Sequence, residues 1–174
     1  PQPPHRAQAD QQIDAVRAMN DLRKPIYISF DEWGTFGRDF RSVLPIAQCL
    51  NSFVRHADVV KMANFTMFTS LLATDKERKT FKAPLFHTFK LFSTNCRGSS
   101  VDTYVECDTF NVDKYKGIPY LDVTSVYSKE ENTIYVNVVN RHKEKTITAE
   151  INSTSGKLTG KAELSLLTAA SLEE

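Results

Sequence analysis

The apolar pattern of this chain changes near Gly98, and that change constrains the possible folds more than any other feature. Before Gly98, short apolar runs alternate with segments in which apolar residues recur at helical spacing. Beyond it, apolar residues recur at every second position, which is the period of a half-buried strand. Alternating strands and helices indicate a parallel sheet, and several short period-two strands indicate an antiparallel sandwich. The sequence therefore predicts an α/β part at residues 1–97 and an all-β part at residues 98–174.

The first part contains alternating helix and strand signals. A short apolar run is typical of a strand covered on both faces, and Pro84 is a favoured first residue of a helix. In chain order we predict a helix from about Ile13 to Leu22, a strand at Ile26–Phe30, a helix with Ile46, Leu50, Phe53 and Val54 on one face, a strand at Val59–Ala63 and a helix from Pro84. A (β/α)8 barrel needs eight such units. The first part therefore has room only for the last strand–helix units of a barrel, and we expect the chain to be a piece of a longer protein.

The second part alternates apolar and polar residues and is broken by polar turns. This pattern predicts antiparallel strands at Val101–Cys107, around Leu121–Ser125, around Ile134–Val138, around Ile147–Ile151, and within Lys161–Leu167. Short strands at this spacing are typical of a β-sandwich. The expected fold is thus α/β plus all-β, in which the end of a TIM barrel is followed by an antiparallel, jelly-roll-like sandwich that is itself incomplete.

The composition argues against several classes of function. The formal net charge is +1, from 22 basic and 21 acidic side chains, so neither nucleic acid nor a membrane surface is an expected partner. The three cysteines have no CxxC spacing, which argues against a disulfide framework and a zinc site, and we expect neither metal nor cofactor. Any export signal would lie upstream, so both a cytoplasmic and an exported parent protein remain open.

Asp31 and Glu32 are adjacent carboxylates at the end of the apolar run Ile26–Phe30. Barrel enzymes place catalytic groups at the carboxyl ends of their strands. Neighbouring strand residues point to opposite faces, so we expect only one of the two to point into the barrel mouth. The alternative interpretation is a solvated acidic loop.

Five segments in this order resemble glycoside hydrolase family 51. The first looks like the segment around that family's nucleophile, the second is similar to its next helix and final barrel strand, and the others extend the match into its C-terminal sandwich. The segments are Ile28–Trp33, Ala47–Asn64, Leu85–Ser93, Pro119–Val123 and Val138–His142, so the resemblance spans roughly residues 24 to 142.

The resemblance implies a retaining α-L-arabinofuranosidase with Glu32 as the catalytic nucleophile. The general acid/base glutamate belongs to an earlier barrel strand, outside this chain. Trp33 and Phe36 are candidates for stacking on a sugar, although packing is equally compatible with either ring. The sequence departs from the family pattern at Gly34, at Phe36, which stands where a Trp is common, and at Met67, which stands where a glutamine is common.

The expected activity is the release of terminal α-L-arabinofuranosyl residues from arabinan- or arabinoxylan-type polysaccharides or oligosaccharides. Shared catalytic logic does not determine the sugar, so another barrel hydrolase acting on xylan or β-glucan is an alternative. A non-catalytic carbohydrate-binding module is a further alternative, from a different class. A homo-oligomeric parent is compatible with the sequence.

Overall fold

The computed structural model describes residues 15, 18, 19, 26–66 and 68–173. Most of the helix predicted from about Ile13 to Leu22 lies outside these residues. Ala15, Ala18 and Met19 are described, and all are helical and exposed. Met67 lies outside the described residues.

The first part contains a parallel β–α–β unit, as the sequence predicts. Strand β1 spans Ile28–Trp33, helix α1 spans Phe40–Arg55 and strand β2 spans Val60–Phe65. β1 and β2 pair in parallel, which requires a crossover connection of the kind that α1 provides. A complete barrel is not present in the described residues, because these two strands pair only with each other.

A second helix packs against α1 and completes the core of this part. Helix α2 spans Pro84–Asn95 and begins with the proline that the sequence singled out. Val43 and Ile46 of α1 are buried together with Leu85 of α2, which is fully buried. Side chains from both helices, both strands and the end of the chain surround these three, so the apolar stripe of α1 forms the centre of the core.

A short hairpin between β2 and α2 was not predicted. Its strands are β3, Leu72–Thr74, and β4, Thr80–Lys82. The Asp75 carboxylate accepts a hydrogen bond from the backbone N–H of Lys79 at 2.7 Å and thereby closes the turn. Each strand has three residues, too few to give a readable period of two.

The second part is antiparallel. β5, β8 and β9 form a three-stranded sheet in the order β5-β8-β9, and β6 and β7 form a separate hairpin. The strands are β5 at Ser99–Val101, β6 at Thr109–Val112, β7 at Tyr115–Pro119, β8 at Leu121–Ser128 and β9 at Thr133–Asn140. β8 and β9 confirm the strands expected around Leu121–Ser125 and Ile134–Val138.

Three of the predicted strands are wrong or too long. The strand expected at Val101–Cys107 ends at Val101, and the strands expected around Ile147–Ile151 and within Lys161–Leu167 do not form. Residues 141–173 have neither helix nor strand, and Leu164 is 88% exposed. A period of two shows only that a segment could line one face of a sheet. A strand also needs a neighbour to pair with, and among the described residues these segments have none.

Helix α1 also connects the two parts through a polar stripe. Asn51 is fully buried; its amide nitrogen lies 3.2 Å from the Asp122 carbonyl oxygen and 3.3 Å from the Asp122 carboxylate, and its amide oxygen accepts a hydrogen bond from the Thr124 hydroxyl at 2.8 Å. Arg55, one turn along, forms an ion pair with Asp122 at 2.5 Å. Asp122 is 8% exposed, so α1 is attached to β8 by polar contacts within a nearly dry interface.

Arg141 adds a further contact to this interface. Its guanidinium donates to the side-chain oxygen of Gln48 at 3.3 Å and to the carbonyl of Leu121 at 3.4 Å. Burial lowers the pKa of Arg141 and so does the nearby Arg55, while Asp122 opposes both effects. Asp122 therefore pairs with Arg55 and also places a negative charge near Arg141.

Gly98, at the entrance to β5, gives a stability prediction. Its φ is +149°, and a Cβ added there would lie 2.2 Å from the backbone oxygen of Tyr127 on β8. Gly98→Ala is therefore expected to lower the free energy of unfolding by about 2 kcal/mol or more, because a rigid strand would have to move. Urea unfolding followed by the fluorescence of Trp33, the single tryptophan, measures the change.

Gly156→Ala is the matched control. A Cβ at Gly156 would meet no atom within 4 Å. This variant should unfold within about 0.5 kcal/mol of the parent chain, as surface substitutions usually do. Equal losses in the two variants would contradict the close approach of Gly98 to β8.

Candidate functional site

The two candidate carboxylates lie within an irregularity of β1. The sequence predicted that the strand ends at Asp31–Glu32, but β1 continues to Trp33. Phe30 pairs with Ala63 and Trp33 pairs with Phe65, so β1 advances by one residue more than β2 over this interval. This mismatch defines a β-bulge, a feature found beside active sites, where it redirects side chains.

The bulge changes which side chains share a face. The rings of Phe30 and Trp33 both contact Phe53 of α1, with centroids 5.5 Å and 4.9 Å away. Regular alternation would place residues three positions apart on opposite faces. Both rings face α1 because the intervening pair, Asp31 and Glu32, contains the extra residue.

Asp31 and Glu32 are both exposed. The Ser29 hydroxyl donates a hydrogen bond to the Asp31 carboxylate, so these two side chains share the side of β1 away from Phe30. The expectation that only one of the two carboxylates points into the barrel mouth stays a prediction. The pairing of β1 with β2 is irregular between Ile28 and Ser29 and again between Phe30 and Trp33, so simple alternation does not assign the face of Glu32.

Trp33 packs inside an aromatic cluster. Its ring lies 4.9 Å from Phe53, 5.2 Å from Phe65 and 5.9 Å from Phe89. Its indole nitrogen is buried and has no hydrogen-bond partner among the described residues. Of the two roles considered for Trp33, these contacts correspond to packing, which supports the end of β1 from the helix side.

Phe36 lies in the loop 34–39 between β1 and α1 and is 87% exposed. The loop itself is anchored, because the buried hydroxyl of Ser70 donates to the carbonyl of Thr35 at 2.7 Å. The backbone N–H of Gly37 also donates to the Thr35 hydroxyl at 3.2 Å. Phe36 is thus an open aromatic ring on a fixed loop close in sequence to Glu32.

The end of β1 is held by Thr66, a residue that the sequence did not single out. Its backbone N–H and its side-chain hydroxyl both donate to the carbonyl of Trp33, each at 3.0 Å. Thr66 follows the last residue of β2 directly. No sequence signal identifies this contact, because it joins residues 33 positions apart.

Other reactive groups in the described part of the chain give no second site. The cysteines are free, and burial raises the pKa of the Cys49 and Cys96 thiols, which disfavours the nucleophilic thiolate. Among the described residues, no three His, Cys, Asp or Glu side chains are grouped so as to hold a metal ion. Neither α1 nor α2 is long and apolar enough to cross a membrane, and no other described helix is.

The second part contains a stack of rings that the sequence did not reveal. Phe110 lies 4.8 Å from Tyr120, and Tyr120 lies 4.6 Å from His142. The backbone N–H groups of Glu144 and Lys145 donate to Nδ1 of His142, which fixes that ring. The rings cover one another, so their observed role is packing beside β8.

Comparison with known families gives one match over most of the chain. The model of the alpha-L-arabinofuranosidase C-terminal domain matches residues 31–174. The match therefore begins in the bulge of β1 and includes Glu32, α1 and the whole antiparallel part.

Two proteins similar to this chain are described as arabinofuranosidases. The chain is 25% identical to "Intracellular exo-alpha-(1->5)-L-arabinofuranosidase 1" of Bacillus subtilis, over 74% of this chain and 31% of that protein. It is 30% identical to "Probable alpha-L-arabinofuranosidase C" of Aspergillus flavus, over 76% of this chain and 30% of that protein. The chain thus spans about a third of the length of these relatives.

A solved structure has the same fold. It is a family 51 alpha-L-arabinofuranosidase from Bifidobacterium longum, which superposes with a TM-score of 0.71 at 18% identity. The match covers 78% of this chain and 32% of that structure. This β-rich arrangement with two helices is therefore found within a larger enzyme.

Proposed function

This chain belongs to the alpha-L-arabinofuranosidase C-terminal domain family, and from that membership we propose that it is the C-terminal part of a retaining exo-α-L-arabinofuranosidase. In this proposal the whole protein releases terminal α-L-arabinofuranosyl residues from arabinan- or arabinoxylan-type polysaccharides or oligosaccharides. The observation that carries the proposal is the exposed Glu32 at the carboxyl end of a parallel strand, inside the segment that matches the family.

Residues 1–97 are, in this proposal, the last strand–helix units of a (β/α)8 barrel. The order β1, α1, β2, α2 with parallel pairing supports this assignment. Both helices contribute to the core beside the two strands, as the outer helices of a barrel do. The outer edges of β1 and β2 would then pair with barrel strands from upstream in the protein.

Residues 98–174 are, in this proposal, part of an incomplete antiparallel β-sandwich. The sheet β5-β8-β9 packs one face on α1, while its other face carries apolar side chains that are partly open to solvent. Tyr127 and Ile134 are paired on this face and are 37% and 43% exposed, and Val138 on the same face is 50% exposed. A second layer of strands would remove this apolar surface from water, as in known sandwiches.

The proposed mechanism assigns Glu32 to the covalent step. Its carboxylate attacks the anomeric carbon while a second carboxylic acid protonates the departing oxygen. Water, which gives its proton to that second group, then attacks the anomeric carbon from the face that the leaving group vacated and releases Glu32, so the configuration is retained. In retaining enzymes the two carboxyl groups lie about 5 to 5.5 Å apart. The second group comes from an earlier barrel strand, outside this chain. The exposed ring of Phe36 can stack on an apolar face of the sugar, whereas Trp33 packs between β1 and α1 and supports β1 from the helix side.

Assays of the full-length protein and of this chain alone test the proposal. We expect the full-length protein to hydrolyse 4-nitrophenyl α-L-arabinofuranoside in preference to the β-D-xyloside and β-D-glucoside, with a first product of retained configuration by NMR. The 174-residue chain alone should show no turnover, because it contains one of the two required carboxylates. Preference for the xyloside or glucoside would contradict the proposed substrate. Sugar binding without turnover by the full-length protein would indicate a binding module instead.

A further inference from the structure

The peptide that follows Trp33, the residue after Glu32, is bound by Thr66. Thr66 donates two hydrogen bonds to the Trp33 carbonyl, one from its backbone N–H and one from its hydroxyl, each at 3.0 Å. The backbone bond is available to any residue except proline, but the second bond requires a hydroxyl side chain.

The two sides of the bulge are fixed differently. Before it, Phe30 is paired with Ala63, and the Ser29 hydroxyl holds the Asp31 carboxylate. After it, Trp33 is paired with Phe65 and its carbonyl is bound by Thr66. Glu32 lies between these two fixed points, in a stretch of β1 that has no regular partner on β2. Its direction therefore depends on the bonds at each end.

We propose that the bulge aims Glu32 and that Thr66 is a positioning residue for it, acting through the hydroxyl bond to the Trp33 carbonyl. This inference rests on the proposed function, because it takes Glu32 as the nucleophile. A nucleophile must approach the reacting carbon to about 3 to 3.5 Å, and a displacement of about 1 Å can cost a hundredfold in rate. The Thr66 hydroxyl limits such displacement without touching the sugar.

The test uses Thr66→Val in the full-length protein, since valine has nearly the shape of threonine but no hydroxyl. We expect kcat for 4-nitrophenyl α-L-arabinofuranoside to fall about tenfold and KM to stay within about twofold. The substitution should misplace the Glu32 carboxylate relative to the anomeric carbon but leave the residues that bind the sugar unchanged. Thr66→Ser keeps the donor and should retain most of kcat. Thr66→Ala should resemble Thr66→Val and provides a second variant without the hydroxyl. The matched control is Thr69→Val, at an exposed threonine in the next turn, which should match wild type.

A double variant separates aiming from general structural support. In Glu32→Ala, azide supplies the nucleophile, so there is no side chain for Thr66 to aim. Adding Thr66→Val to Glu32→Ala should leave the azide-rescued rate unchanged within about twofold. If Thr66→Val instead lowered the rate about tenfold both in the protein with Glu32 and in Glu32→Ala, the inference would be overturned. An active enzyme in which Thr66→Val equals wild type would overturn it as well. An enzyme with no arabinofuranosidase activity, or one that azide does not rescue in Glu32→Ala, would overturn the proposed function and this inference together.

Discussion

Glu32→Ala in the full-length protein is expected to lower kcat for an aryl arabinofuranoside by more than about a thousandfold, the scale expected when a nucleophile is removed. The exposed carboxylate at the bulge of β1 is the group that would form the glycosyl–enzyme ester. Initial rates with 4-nitrophenyl α-L-arabinofuranoside, with KM determined separately, measure the loss.

Azide should restore part of this activity. The alanine leaves space where the carboxylate stood, and an activated leaving group needs little protonation, so the small anion can attack the anomeric carbon from the same side. The product should be an arabinosyl azide of inverted configuration, identified by NMR. Near-normal activity of Glu32→Ala would show that Glu32 is not the nucleophile.

Asp31→Asn is the matched control for this experiment. The bulge leaves Asp31 exposed beside Glu32, with its carboxylate bound by the Ser29 hydroxyl. The variant should keep retaining turnover and should not respond to azide, because its nucleophile is still present. Azide rescue of Asp31→Asn and not of Glu32→Ala would move the nucleophile to Asp31.

Asp122→Ala is expected to lower the free energy of unfolding by about 3 kcal/mol, the largest effect on stability that we predict. Asp122 is 8% exposed, accepts a bond from Asn51 at 3.3 Å and forms an ion pair with Arg55 at 2.5 Å. Its removal leaves the Arg55 guanidinium without its ion-pair partner and takes away a negative charge near Arg141. The Arg55 side chain is 38% exposed, so water can solvate its guanidinium after Asp122 is removed. The expected decrease in the free energy of unfolding therefore lies at the low end of the range for buried ion pairs.

Urea unfolding of the chain, followed by Trp33 fluorescence, measures this effect. Asp122→Asn should lose less than Asp122→Ala, because it keeps a side-chain acceptor for Asn51. Glu163→Gln is the control: the ion pair of Glu163 with Lys161 has side chains 84% and 87% exposed, so its loss should change stability by less than about 0.5 kcal/mol. Equal stability of Asp122→Ala and Glu163→Gln would show that the α1–β8 interface does not depend on Asp122.

The sequence predicted well the elements whose signal lies within one apolar run. The spacing of Ile46, Leu50 and Phe53 predicted α1, and Pro84 marked the start of α2. Val59–Ala63 predicted β2 to within two residues at its end. The helix signal is local because a helix places apolar residues at a period determined by its own backbone. The expectation that β1 and β2 are covered on both faces was wrong for the described residues, since Phe30 is 45% and Met62 55% exposed.

Predictions failed where a strand depended on a distant partner. The segments around Ile147–Ile151 and Lys161–Leu167 have a suitable period but no neighbouring strand among the described residues. The hairpins β3–β4 and β6–β7 formed without a clear period, because a close partner and a tight turn were sufficient. The period of apolar residues along a segment indicates which face of a strand is buried, but it does not indicate which strands pair with each other.

By itself, the sequence determined the order β1, α1, β2, α2 and the position of Glu32 near the carboxyl end of a parallel strand. Only the tertiary structure revealed the bulge, the Thr66 contact and the polar stripe of α1 on β8. The physical reason is distance along the chain: the Trp33 carbonyl meets Thr66 across 33 residues, and Asn51 meets Asp122 across 71. The local backbone period contains no information about such partners, so the contacts on either side of Glu32 were decided by the pairing of β1 with β2.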